Sequence, residues 1–264
     1  MIENKKEFKL VSKKNPKHLL PNALTILGVC LGLSSIKFAL DANYTMSVIA
    51  IGIAAILDTL DGRVARLLKG TTKVGKELDS LTDVISFGVA PGFIMYFWTL
   101  NQLEKIGWML VLIYVVCCAL RLARFNLTTI DENENWKVNF FEGVPSPAAA
   151  GLVLLPLILN LSNLIEVNNF SILTAIIMIV VSILMVSNVP TYSLKKITIP
   201  RSMTIFLLLG IGVYLSLVIF FTFQTLFITG LIYISLIPIS YIHYKKINKK
   251  KASSTEVEET EDVL

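Results

Sequence analysis

Apolar residues run along this chain in long blocks, not in the alternating or narrow-stripe patterns of half-buried strands and surface helices. A helix needs about 20 apolar residues to cross a bilayer. Eight blocks approach that length, at residues 19–40, 46–67, 77–99, 105–125, 146–165, 170–189, 200–221 and 223–243. The breaks between them carry polar or charged clusters: "DANY", "NQLEK", "NLTTIDENENWK", "NLSNLIEVNN" and "SNVPTYSLKK". The faintest break lies near Thr222 to Gln224. The pattern predicts an all-α polytopic membrane helix bundle with about eight transmembrane helices. It divides the chain into a basic segment over 1–18, six helices over 19–200, two further helices over 201–243 and a tail over 244–264. The tail is polar and acidic from Ala252 onward and is expected to be disordered.

Composition agrees with the blocks. Hydrophobic residues make up 54% of the 264 positions and charged residues 16%, where a soluble domain holds about 25% charged. Residues 1–18 are basic, and the block that follows is too long for a signal-peptide core and has no A-x-A site after it. It reads as a retained first helix. Every lysine and arginine except Lys37 and Lys105 falls on one side of the expected bundle. By the positive-inside rule that side is cytoplasmic, and both termini lie there. The net charge of +5 borders membrane helices and is no nucleic-acid signature. Cys30, Cys117 and Cys118 sit in apolar runs and read as small hydrophobes. His18 and His243 stand near opposite ends of the chain, so a histidine-based zinc or catalytic site is not expected.

Four aspartates break the apolar pattern: Asp58, Asp61, Asp79 and Asp83. Asp58 and Asp61 are spaced i, i+3, and Asp79 and Asp83 i, i+4, so each pair shares a helix face. The second and third helices are joined by a short loop and must be antiparallel neighbours. All four carboxylates then lie at similar depth near the inner membrane boundary. Gly62 and Ala65 extend the first face, and small residues let helices approach closely in lipid. An Asp at the centre of a membrane helix costs about 2.5–3.5 kcal/mol on insertion scales, and repulsion adds to that. Hard divalent cations such as Mg2+ or Mn2+ would compensate, and four carboxylates suffice for two ions. A carboxylate-lined ion or proton pathway is the alternative of a different class, although transport sites lie nearer the midplane.

The residues spell D-x2-D-G-x2-A-R-x8-G-x3-D-x3-D, from Asp58, Asp61, Gly62, Ala65, Arg66, Gly75, Asp79 and Asp83. This resembles the signature of the CDP-alcohol phosphatidyltransferase family at every defined position. The resemblance implies a membrane-embedded bundle, with residues 19–200 as its six-helix core, and a cytoplasm-facing site holding two Mg2+ or Mn2+ ions. It implies transfer of a phosphatidyl or related group from a CDP-linked donor to an alcohol, with release of CMP. By the same resemblance Asp58, Asp61, Asp79 and Asp83 are metal ligands, and Asp83 is also the general base. Asn22, Thr25, Gly62, Arg66, Thr72 and Gly75 are expected around the CDP portion, with "PNALT" opening the first core helix.

Three further stretches, "GKELDSLTDVISFGVAPG", "ALRLARFN" and "FEGVPSPAAAG", resemble multi-span bacterial phosphatidylserine synthases. That likeness implies CDP-diacylglycerol as donor, L-serine as acceptor, a homodimer surrounded by membrane lipids, and a place in the bacterial inner membrane. Serine needs a cation and polar groups near the metals, and Arg121, Arg124, Asn126, Ser146 and Lys195 are the candidates at helix ends or in linking loops. Glycerol 3-phosphate and inositol phosphate remain alternative acceptors, since Arg121, Arg124, Lys195 and Arg201 also offer a basic pocket. No aromatic cluster suited to choline is visible in these loops. Pro145 and Pro147 are placed to start the fifth helix, and Pro91 to kink the third.

Overall fold

The computed structural model describes residues 19–68, 73–127, 140–164, 169–192 and 203–261. About nine-tenths of them are helical. The expected positions Thr72 and Lys195, with Arg201, lie outside the described residues.

Helix α1 (Leu19–Leu40) ends at a tight reversal and is followed by α2 (Tyr44–Leu67). Ala42 takes a left-handed conformation at that turn, and Asn43 caps α2 by accepting from the Met46 N–H at 3.2 Å. Lys37 pairs with Asp41 there, one helical turn on. The third run is continuous but not uniform. An α-helix, α3 (Lys73–Asp83), passes into a π segment (Val84–Val89) and then into α4 (Ala90–Trp98). A 3-10 turn (Leu100–Leu103) leads into α5 (Glu104–Leu127).

The fifth expected helix is split. Helix α6 (Ser146–Val153) and α7 (Leu155–Ser162) meet at Leu154, two residues before Pro156. Pro147 occupies the first turn of α6, where its missing N–H leaves no bond unmade. Helix α8 (Phe170–Val186) follows, then α9 (Thr204–Phe220) and α10 (Thr222–Glu261). The break between the last two falls at Phe221, beside the position the sequence marks most faintly.

Two features depart from the sequence reading. A small antiparallel ribbon pairs β1 (Phe140–Glu142) with β2 (Pro190–Tyr192), in the register Phe140 to Tyr192. Three-residue strands are too short to show a periodicity. And α10 continues to Glu261, through the region expected to be a disordered tail. No glycine or proline stands between Ile239 and Glu261, and the segment is rich in Lys and Glu, which are good helix formers.

The core lies between α1, α2, the π segment, α4, α5, α6, α7 and α8, with Phe87, Ile94, Met95, Tyr114, Leu157 and Met178 fully buried. Helix α9 buries no residue, and its leucines, isoleucines and phenylalanines face outward. Such an apolar exterior is the surface of a protein solvated by lipid. Among the described residues, four helices are long and apolar enough to cross a membrane: Leu20–Leu40, Gly75–Trp98, Leu100–Leu127 and Thr222–Ile247. Helices α8 and α9 are apolar but shorter, and α2 carries the aspartates and arginines of the motif.

Candidate active site

The aspartates converge. Asp58 on α2 meets Asp83 on α3, and Asp61 and Asp79 complete the group. Carboxylate oxygens of Asp58, Asp61 and Asp79 all lie within 4.8 Å of one another. Asp83 sits against Asp58, and its Oδ1 is buried without a hydrogen-bond partner among the described residues. Like charges held this closely repel, and burial sharpens the repulsion.

Helix α1 is the wall that aligns them. The buried Thr25 hydroxyl lies 2.7 Å from Asp61 Oδ2 and donates to it, with the Pro21 carbonyl at 3.0 Å as its other acceptor. Thr25, expected beside the nucleotide, thus holds a carboxylate of the cluster. Gly28 and Gly32 follow on the same helix at small-xxx-small spacing. Ser86, in the π segment, donates to the Gly28 carbonyl at 3.2 Å. A Cβ at Gly32 would stand 2.6 Å from Ser86 Oγ and 2.9 Å from its Cα. Only glycine there lets α1 and the aspartate-bearing helix come this close.

The π segment begins at the residue after Asp83. A π turn holds one more residue than an α turn, so it changes the phase between the aspartate face and the apolar helix beyond. Pro91 has no N–H to give the Phe87 carbonyl, its partner in an unbroken α-helix. The fully buried Tyr114 hydroxyl donates to that oxygen at 2.7 Å. The kink expected at Pro91 is therefore a widened turn, pinned to α1 by Ser86 and to α5 by Tyr114. Sequence reading passed over Tyr114, although a tyrosine inside an aliphatic run needs a partner for its hydroxyl.

The acceptor candidates separate into two groups. Arg121 is buried at 7% exposure. Its Nη1 donates to the fully buried Ser146 Oγ at 2.7 Å, and its charge faces Asp83. Arg121 and Ser146 therefore lie together beside Asp83. Arg124 instead donates to the Val186 carbonyl at 2.9 Å, the Ser187 carbonyl at 3.2 Å and Asn188 Oδ1 at 2.8 Å. It caps the end of α8, where a cation complements the exposed carbonyls. Asn126 donates to Ser80 at 2.8 Å and ties α5 to α3.

Of the expected nucleotide contacts, Asn22 is half-buried in the first turn of α1, Gly75 lies in the first turn of α3 and Arg66 is exposed in the last turn of α2. A Cβ at Gly62 would meet nothing within 4 Å. Beside the carboxylates, the backbone of α2 is thus open to an approaching ligand. The donor set is oxygen-only and gathered within 4.8 Å, a chemistry that suits a hard divalent cation.

The sequence profile described as CDP-alcohol phosphatidyltransferase matches residues 18–237. The chain is 34% identical over 229 residues to the CDP-diacylglycerol--serine O-phosphatidyltransferase of Mycobacterium leprae (strain TN), covering 86% of this chain and 76% of that protein. It is 41% identical over 184 residues to the Helicobacter pylori (strain 26695) protein of the same name, covering 69% of this chain and 76% of that one. With the Mycobacterium tuberculosis (strain H37Rv) protein of that name it shares 45% identity over 133 residues, half of this chain and 46% of the relative. The profile takes in both aspartate pairs, Thr25 and the Arg121–Ser146 pair, and the chain belongs to the CDP-alcohol phosphatidyltransferase family.

Proposed function

We propose that the protein transfers a phosphatidyl group from CDP-diacylglycerol to the hydroxyl of L-serine, giving phosphatidylserine and CMP. The observation that carries this reading is the carboxylate cluster of Asp58, Asp61 and Asp79, with Asp83 set between it and the buried Arg121–Ser146 pair. The relatives' names support serine as the acceptor.

Asp58, Asp61, Asp79 and Asp83 would hold two Mg2+ or Mn2+ ions. When bound, such ions supply Lewis-acid polarisation of the donor's pyrophosphate and stabilise the departing CMP phosphate. Thr25 keeps Asp61 turned toward the site by its hydrogen bond. The open flank at Gly62 and the Arg66 fork receive the nucleotide, with Asn22, Thr72 and Gly75 around it. Asp83 takes the proton of the serine hydroxyl. The serine oxygen forms the new bond to the phosphatidyl phosphorus, and the bond to CMP breaks with its electron pair leaving on CMP.

The eight helical runs would cross the bacterial inner membrane eight times, with the aspartates and both termini on the cytoplasmic side. Lipid tails enter laterally from the bilayer, while serine and CMP exchange with the cytoplasm. We take the working unit to be a homodimer. Purified protein in mixed micelles, given CDP-diacylglycerol and each of serine, glycerol 3-phosphate and inositol phosphate, tests the reaction. Metal-dependent CMP release with serine is expected. Release only with another acceptor removes serine, and no CMP release from any acceptor, together with ion flux in sealed proteoliposomes, replaces the enzyme by a transporter.

A further inference from the structure

The last helix reaches the acceptor side of this site. Among the described residues, Asp83 Oδ1, Arg121 Nε, Thr174 Oγ1, the Tyr233 hydroxyl and Ser240 Oγ are buried without a hydrogen-bond partner. Thr174 and Ser240 sit on helices, where a hydroxyl can turn to its own backbone, so neither asks for a ligand. The other three belong to one region: Arg121 is bonded to Ser146, three residues after the Gly143 carbonyl that Thr191 reaches from beside Tyr233, and its charge acts on both Asp83 and Tyr233. With Arg121 between Asp83 on one side and Tyr233 on the other, three buried polar atoms from α3, α5 and α10 lack partners in one region, which marks a place for a polar ligand.

Tyr233 is held there by its own helix. One turn earlier, Gly230 lets α10 press onto α7, and a Cβ at that position would stand 2.5 Å from Leu155 Cδ2. Farther along, Tyr192 and His243 meet through the Tyr192 hydroxyl and Nδ1 at 3.0 Å, joining α10 to β2. The Tyr233 hydroxyl faces Thr191 without reaching hydrogen-bond geometry. The Thr191 hydroxyl is itself donated to the Gly143 carbonyl at 2.8 Å.

The chemistry of the free atoms selects the ligand group. Arg121 Nε can only donate, and Tyr233 is a phenol donor. Two convergent donors suit a carboxylate, while Asp83 beside them suits a hydroxyl proton. We propose that Tyr233 is a specificity residue of the acceptor pocket, its hydroxyl and the Arg121 guanidinium together binding the carboxylate of the acceptor amino acid. This rests on the reading of the protein as a phosphatidyl transferase acting on serine. It also gives α10, which carries none of the motif aspartates, a part in choosing the substrate.

The test compares Tyr233→Phe with wild type in full-length enzyme, using serine and serinamide, which keeps the hydroxyl and amine but lacks the carboxylate. A hydrogen bond to a charged group is lost, so the serine KM should rise about 10- to 100-fold. The CDP-diacylglycerol KM should stay as in wild type, which shows that the variant is folded. Preference for serine over serinamide should narrow by a similar factor, and Arg121→Lys, which loses the fork but keeps the charge, should narrow it too. An unchanged serine KM and an unchanged preference in Tyr233→Phe, with wild type turning over serine, would overturn the role of Tyr233 alone. Wild-type enzyme that releases no CMP with serine would overturn the functional reading and this assignment together.

Discussion

At the scale of single residues, the site depends on partners that the aspartates recruit from other helices. Asp61 is aimed by the Thr25 hydroxyl from α1. Groups that orient a metal ligand typically change metal affinity or activity by about 10- to 100-fold when removed. Thr25→Val keeps the shape and deletes the donor, so its Mg2+ or Mn2+ requirement should rise by about that factor, read from CMP release against metal concentration. Thr25→Ser should remain close to wild type. An equal metal requirement in the valine variant would leave Thr25 a packing residue only. Arg124 shows that one residue can serve the fold at a place where the sequence points to a ligand. A helix-end arginine in a region rich in site residues reads as a ligand contact, and its fork also reaches the carbonyls that end α8.

At the scale of elements, the close approach of α1 to the π segment sets the position of the aspartate pairs. Two glycines of this region should respond oppositely to the same change. A methyl at Gly32 collides with Ser86, and overpacking of this kind costs about 1–3 kcal/mol. Gly32→Ala should lower the thermal midpoint in detergent and reduce activity with it. A methyl at Gly62 meets nothing within 4 Å, so Gly62→Ala should melt like wild type yet lose affinity for CDP-diacylglycerol. Thermal melts and donor KM values of the two variants separate these outcomes. The aspartate spacing was legible in the sequence because i, i+3 and i, i+4 relations are local. The π segment was not, because six residues such as VISFGV look alike in either helix. Its bond from Tyr114 to Phe87 joins positions 27 residues apart. Pro91 gave the one local hint, and it marked the place without showing the widened turn.

At the scale of the whole molecule, hydropathy placed the helices within a few residues, because breakers and charge clusters bound most of them. It could not show that the fifth run divides at Leu154, or that α10 runs on to Glu261. Nor could it show that an arginine on α5 and a serine opening α6 meet beside Asp83, since such meetings are made by packing. The motif marked the carboxylate cluster, while the groups proposed to take the acceptor come from separate helices. The central claim joins the two in one reaction, and a product balance tests it directly. Purified wild type with CDP-diacylglycerol, labelled serine and Mg2+ or Mn2+ should yield labelled phosphatidylserine and CMP in equal amounts. Asp83→Asn, lacking its base, should be slower by about 100- to 10,000-fold. CMP release without label in lipid, or an Asp83→Asn variant as fast as wild type, would contradict the assignment.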